Sequence, residues 1–242
     1  MAAPRFKRVK FLTLFQNLKN ILFRLKKKKP SLNFLDTQRD WKQSDIVGIC
    51  VGHSRIGDHG AYSYDWLNSE WSYNREVGRA LQRCLDSKGI PNKLYTCYNA
   101  KSYPAAMRYI KGQLKEHNAT LAVELHFNAY NGKVRGTETW YRYGAPKSKK
   151  LASSIQSAVL NAYGSRNRGI KGAKKGHNGY SFLNKADIPT ALCEPFFGDN
   201  KEDFELFSKP EELGQVLADG INNFLLDKHE SNQSARKDNA SE

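Results

Sequence analysis

No run in this 242-residue chain approaches the roughly 20 consecutive apolar residues that a helix needs to cross a bilayer, which excludes a helical membrane span. Cysteine is scarce. The four present, Cys50, Cys84, Cys97 and Cys193, lie far apart and form no CxxC pair. A disulfide framework or a zinc ribbon is therefore not expected, and buried reduced thiols made in a reducing compartment are. The first thirty residues contain no acid, and they also lack the unbroken apolar core and small-residue cleavage site of a secretory signal. Gln16, Asn17, Lys19 and Asn20 break that stretch up. The rest of the chain lacks a strong charge of either sign. Ten of the 39 Lys and Arg fall in the first thirty residues, leaving 29 against 24 Asp and Glu, which is too even for a dedicated nucleic-acid surface.

What is present, 39% hydrophobic and 12% aromatic residues over this length, suits one sizeable α/β domain with a full core. Its ends differ from it. In residues 1–30, Phe11, Leu14, Leu18, Ile21 and Leu25 recur at spacings of three and four, opposite Lys10, Lys19 and Arg24. This predicts a basic amphipathic leader helix, suited to a membrane surface or an anionic cell envelope, or else packed on its own domain. Residues 31–44 read as a linker and 228–242, polar and aperiodic, as a disordered tail.

Between the ends, strand-like and helix-like runs alternate. Residues 45–53, 92–98, 120–126, 136–143 and 189–194 read as strands, and 74–89, 103–118, 148–164 and 210–227 as helices. The alternation predicts a twisted, mostly parallel sheet with helices on both faces, in a single domain over 45–227.

Three of the strands end on residues able to ligate a metal or carry a proton: His53, His126 and Glu194. In open α/β sheets a site forms outside the carboxyl ends of the strands, so the three are expected to converge. Two imidazoles and one carboxylate make a hydrolytic zinc site with a fourth position for water. The segment "NSEWSYNREVG" offers Glu70 and Glu76 as the carboxylate. Glu76 falls inside a helix, whereas Glu70 stands at its mouth and is preferred. Glu194, on a strand carrying neither histidine, is then free to act as the base.

Taken together, these residues resemble the zinc-dependent N-acetylmuramoyl-L-alanine amidases, over roughly residues 45–226. Gly52-His53 closes the first strand, Glu70 precedes Asn74 by four, "HFNA" stands at 126–129, "GTETWY" at 136–141, and "LCEPFFGDN" at 192–200. The resemblance implies zinc ligation by His53, Glu70 and His126, with Glu194 as catalytic carboxylate and Asn128 as a contact to the peptide stem. It implies peptidoglycan as substrate, cut between the lactyl group and L-alanine.

The loop "SRIGDHGAYSYDWLN" departs from the family's Gly-rich acidic phrasing and makes His59 a competing ligand. Pro195 and Phe196 replace a small or aliphatic residue and a Gly. His177 falls in a loop ahead of the last catalytic strand. No long insertion able to plug the site separates His126 from Glu194. Tyr62, Tyr64, Trp66 and Trp71 suit stacking on sugar faces. A monomer is expected, made in the cytoplasm without a clear signal peptide and acting at the cell wall or periplasm, in phage-type lysis or wall remodelling. The competing readings are a zinc carboxypeptidase or other amidohydrolase, and a peptidoglycan-binding protein that does not cut.

Overall fold

In the computed structural model, residues 45–238 are described except Cys97, Asn99, Lys101, Asn178, Lys185 and Ala186; of residues 232–238 only the backbone is described. The leader and linker expected over 1–44 lie outside the described residues. Six strands form one sheet: β1 (Val47–Val51), β2 (Asn92–Tyr95), β3 (Leu121–Leu125), β4 (Thr137–Arg142), β5 (Asn167–Ala173) and β6 (Thr190–Glu194). Their order is β2-β1-β3-β6-β4-β5, with every neighbouring pair parallel except β4 and β6. The expected mostly parallel sheet is thus present, its four central and edge strands β2, β1, β3 and β6 all running the same way.

Period-two alternation divides the core. Val47 and Ile49 of β1, Leu121, Val123 and Leu125 of β3, and Ala191 and Cys193 of β6 enter the larger apolar cluster. Helices α1 (Glu70–Ser87), α3 (Pro146–Tyr163) and α6 (Pro210–Asp238), with the short α5 (Lys201–Leu206), cover that face. Their buried residues recur at helical spacing, as in Val77, Leu81 and Leu85 of α1 and Leu213, Leu217 and Ile221 of α6. On the other face Cys50, Ala122 and Leu192 meet α2 (Tyr103–Glu116) and the short α4 (Tyr180–Leu183). Strands covered on both faces read as unbroken apolar runs, and β1 and β3 are buried at every residue.

Three features differ from the sequence expectation. Strand β5 lies in a stretch of Arg, Lys and Gly with no apolar alternation; it is an edge strand whose residues are mostly half-buried, so packing imposes little pattern on it. Helix α1 starts at Glu70 rather than Asn74, because Ser69 caps it by accepting the Ser72 amide. Helix α6 runs on to Asp238, into the stretch expected to be a disordered tail. There Asp45, 1% exposed, pairs with Lys228 at 2.5 Å and His229 at 2.6 Å, a contact across some 180 residues that no local pattern announces.

Candidate functional site

Because β1, β3 and β6 are parallel, their carboxyl ends open on one rim of the sheet. His53 stands two residues past β1, His126 directly after β3, and Glu194 is the last residue of β6. Glu70, the first residue of α1, completes the group. The atoms that His53, Glu70 and His126 could offer a metal ion lie within 4.8 Å of one another.

Glu70 is the centre of this cluster. It is 4% exposed and lies in the first turn of a helix, where the dipole favours negative charge. Its Oε1 lies 2.8 Å from His126 Nδ1 and accepts the Phe127 amide at 3.2 Å. Its Oε2 lies 3.1 Å from His53 Nε2 and accepts the Ala61 amide at 3.1 Å. Burial alone would raise its pKa, but hydrogen bonds from His126 and His53 outweigh it and bring the carboxyl down to about 2. The same coupling acts in reverse on the histidines. Burial lowers both, yet Glu70 raises His53, and Glu124 with Glu70 holds His126 well above the ordinary imidazole range.

Two glycines make room for this packing. A Cβ at Gly52 would stand 2.3 Å from Cε1 of His126, so the imidazole is seated directly on the Gly52 backbone. Gly60, at φ +70, lets the loop after β1 close over the cluster; a Cβ there would meet Glu70 Oε2 and His53 Cδ2 at 2.6 Å. His53 itself takes a left-handed φ of +64, a conformation that a non-glycine residue adopts only where its surroundings enforce it.

The donor set fits a metal ion. Two imidazole nitrogens and a carboxylate face a common point, and each histidine's other nitrogen meets a further carboxylate: Asp58 Oδ1 at 2.8 Å from His53 Nδ1, and Glu124 Oε2 at 3.5 Å from His126 Nε2. Outer carboxylates of this kind orient ligating histidines and select their tautomer. In addition, Glu124 Oε2 is buried without a hydrogen-bond partner, as befits a site built to hold positive charge.

Glu194 adjoins the cluster. Its Oε2 is buried and has no hydrogen-bond partner. Burial, then Glu70 and Glu138, push its pKa up to about 8 against the opposing influence of His126 and His53. Glu138 stands opposite it across the antiparallel β4–β6 pair. Arg168 and Lys171 of β5, each 2.6 Å from Glu138 Oε2, keep Glu138 ionised with its pKa lowered despite burial.

The remaining candidates sort by position. Asn128 is half-buried and its backbone bridges to the turn after β6, accepting the Gly198 amide at 2.7 Å and donating to Phe196 at 2.9 Å. Glu76 faces Arg75 and Arg79 and does not join the cluster. His59 is exposed and stands outside the group of His53, Glu70 and His126; its carbonyl accepts the Trp71 amide. His177 is exposed beside Trp140. Trp71 is not a sugar platform: it is 9% exposed, and its indole donates to the Thr96 carbonyl at 2.6 Å. Tyr62 and Trp66, by contrast, stack at 5.9 Å and are 42% and 76% exposed. Phe196 lines no cleft either, since it is fully buried and stacked on Phe207 at 5.0 Å. Sequence reasoning missed Asp58 and Glu124, although both sit within five residues of a histidine of the cluster.

The family model for N-acetylmuramoyl-L-alanine amidase matches residues 47–224. An uncharacterised cell wall amidase of Bacillus anthracis is 34% identical over 125 residues, covering 48% of this chain and 22% of that protein. The endolysin of Bacillus phage SPP1 is 33% identical over 129 residues, covering 49% of this chain and 45% of the endolysin. A solved N-acetylmuramoyl-L-alanine amidase from Clostridium difficile 630 superposes with a TM-score of 0.64 at 26% identity, over 78% of this chain and 99% of that one. The matched parts therefore span less than half the length of either curated relative.

Proposed function

The chain belongs to the N-acetylmuramoyl-L-alanine amidase family, and on that premise we propose that it is a zinc-dependent hydrolase of the amide joining the lactyl group of muramic acid to L-alanine in peptidoglycan. The observation that carries this reading is the pairing of a cluster of three candidate ligands with a carboxyl, that of Glu194, whose Oε2 is buried without a hydrogen-bond partner.

His53, Glu70 and His126 would hold the ion. Zinc, when bound, supplies Lewis acidity that activates water and polarises the amide carbonyl. The protein's own part is proton transfer and positioning. Glu194 takes the proton from the attacking water and returns it to the alanine nitrogen as the C–N bond breaks. Its environment suits both steps, because burial and like charge favour the acid while the histidines favour the carboxylate. Asn128 offers its amide to the peptide stem, and the exposed Tyr62 and Trp66 stack on the glycan.

The likeness to a phage endolysin supports a lytic role, and the likeness to a cell wall amidase supports action at the wall. The basic leader over 1–30 would bind anionic lipid; co-sedimentation with anionic liposomes that survives its deletion would remove that role. The activity is tested on purified peptidoglycan by following free amines and reducing ends, with zinc, after chelation, and for Glu194→Ala. New alanine amino termini without new reducing ends, lost in both controls, is the expected result. Stoichiometric zinc with no bond cut would refute the amidase assignment.

A further inference from the structure

Glu124 is a buried carboxylate that the proposed reaction does not use. It lies on β3 two residues before His126, hence on the same side of the strand, and is 1% exposed. Its surroundings are apolar: Cys50, Met107, Ala122 and Leu192 belong to the core layer on that face. A carboxylate in such a layer is costly unless paired and hydrogen-bonded. Tyr98, also buried, donates its hydroxyl to Oε1 at 2.5 Å. Among the described residues its one ion-pair partner is His126, whose Nε2 lies 3.5 Å from Oε2. That leaves Oε2, which makes no hydrogen bond, aimed at the outer nitrogen of a ligand imidazole.

We propose that Glu124, anchored by Tyr98, is a positioning residue that accepts the Nε2 proton of His126 and so turns a bare Nδ1 toward the metal position. The inference rests on the metallo-amidase reading above. Three geometric facts support it. Nδ1 of His126 is the nitrogen that faces Glu70, at 2.8 Å. The ring cannot slide away, because it is seated on Gly52. His53 repeats the arrangement, with Nε2 toward Glu70 and Nδ1 on Asp58. The two outer carboxylates differ in setting: Asp58 is 61% exposed on a loop, whereas Glu124 is sealed in the core. Glu124 therefore acts in low dielectric, where a charged acceptor binds an imidazole N–H most strongly.

The test measures zinc affinity of the full chain by competition with a chromophoric chelator, together with imidazole nitrogen NMR of the zinc-loaded protein. Expected are a protonated Nε2 on His126 in the unaltered chain and an affinity loss of about 10- to 100-fold in Glu124→Gln and Glu124→Ala. Tyr98→Phe, which removes only the anchor, is expected to lose less. A metal-bound Nε2 with protonated Nδ1 in the unaltered chain would overturn the proposal, and this measurement requires no variant to fold. So would variants of Glu124 and Tyr98 that fold and bind zinc within twofold of the unaltered chain. Failure of the unaltered chain to bind zinc at all is a separate result, which would refute the metallo-amidase reading itself.

Discussion

Replacing Glu194 by Gln is expected to move stability and activity in opposite directions. The carboxyl stands at about 8 against an ordinary 4.5, chiefly through burial, with Glu70 and Glu138 adding to it. Between those two values the folded chain retains the Glu194 proton that the unfolded chain has released. The favourable contribution is therefore full below about pH 4.5 and is lost as pH rises through about 8. An interval of about 3.5 pH units at ~1.4 kcal/mol each sets a ceiling of about 5 kcal/mol. Because the residue is only partly buried, solvent screening brings this to on the order of 2 kcal/mol. Gln has the same shape and does not titrate. Urea unfolding of the metal-free chain should thus show Glu194→Gln gaining on the unaltered protein by about that amount between pH 5 and pH 8. Over the same range, peptidoglycan hydrolysis by the zinc-loaded variant should fall about 10²- to 10⁴-fold, the usual worth of a general base. Unfolding curves that stay parallel at every pH would refute the electrostatic argument. Hydrolysis within tenfold of the unaltered chain would refute the role of Glu194 as the base.

The raised pKa values of His53 and His126 mean that the metal-free cluster binds protons near neutrality, so zinc uptake at pH 7 should release them. Calorimetry in buffers of different ionisation enthalpy reads this directly, and a heat independent of buffer would contradict it. Gly52→Ala places a methyl 2.3 Å from Cε1 of His126, which forces the ring off its seat. Zinc affinity is expected to drop at least about tenfold with little change in far-UV circular dichroism, and unchanged affinity would disprove the seat. Asp45→Ala removes the partner of Lys228 and His229 at the far end of the sheet. It should cost about 1–3 kcal/mol in urea unfolding and speed amide exchange beyond residue 227 of α6, without altering zinc affinity; slow exchange there would show that the clamp does not hold the helix.

Much of the sheet was legible because buried parallel strands are short apolar runs. The turn from such a run to His53, His126 or Glu194 is abrupt enough to see in one dimension. The helices were legible from their period, but their ends were not. Helix α1 gained a turn from the Ser69 cap, which brought Glu70 into the helix and Asn74, with its amide on the Glu70 carbonyl at 3.0 Å, into the core. Strand β5 escaped notice because an edge strand need satisfy only one neighbour, and its Arg and Lys side chains are spent on Glu138.

By itself, then, the sequence determined what depends on near neighbours: the alternation of strands and helices, the strand ends that carry His53, His126 and Glu194, and the place of Glu70 at the mouth of a helix. Tertiary structure alone decided what depends on approach across the fold. It seated the His126 imidazole on Gly52, set Glu124 near its Nε2 and Asp58 beside His53, buried Trp71 and Phe196, and paired α6 with Asp45. Each of these joins groups from different elements, and pairing of that kind leaves no periodic trace in the chain because it rewards a residue for its spatial partner rather than for its neighbours.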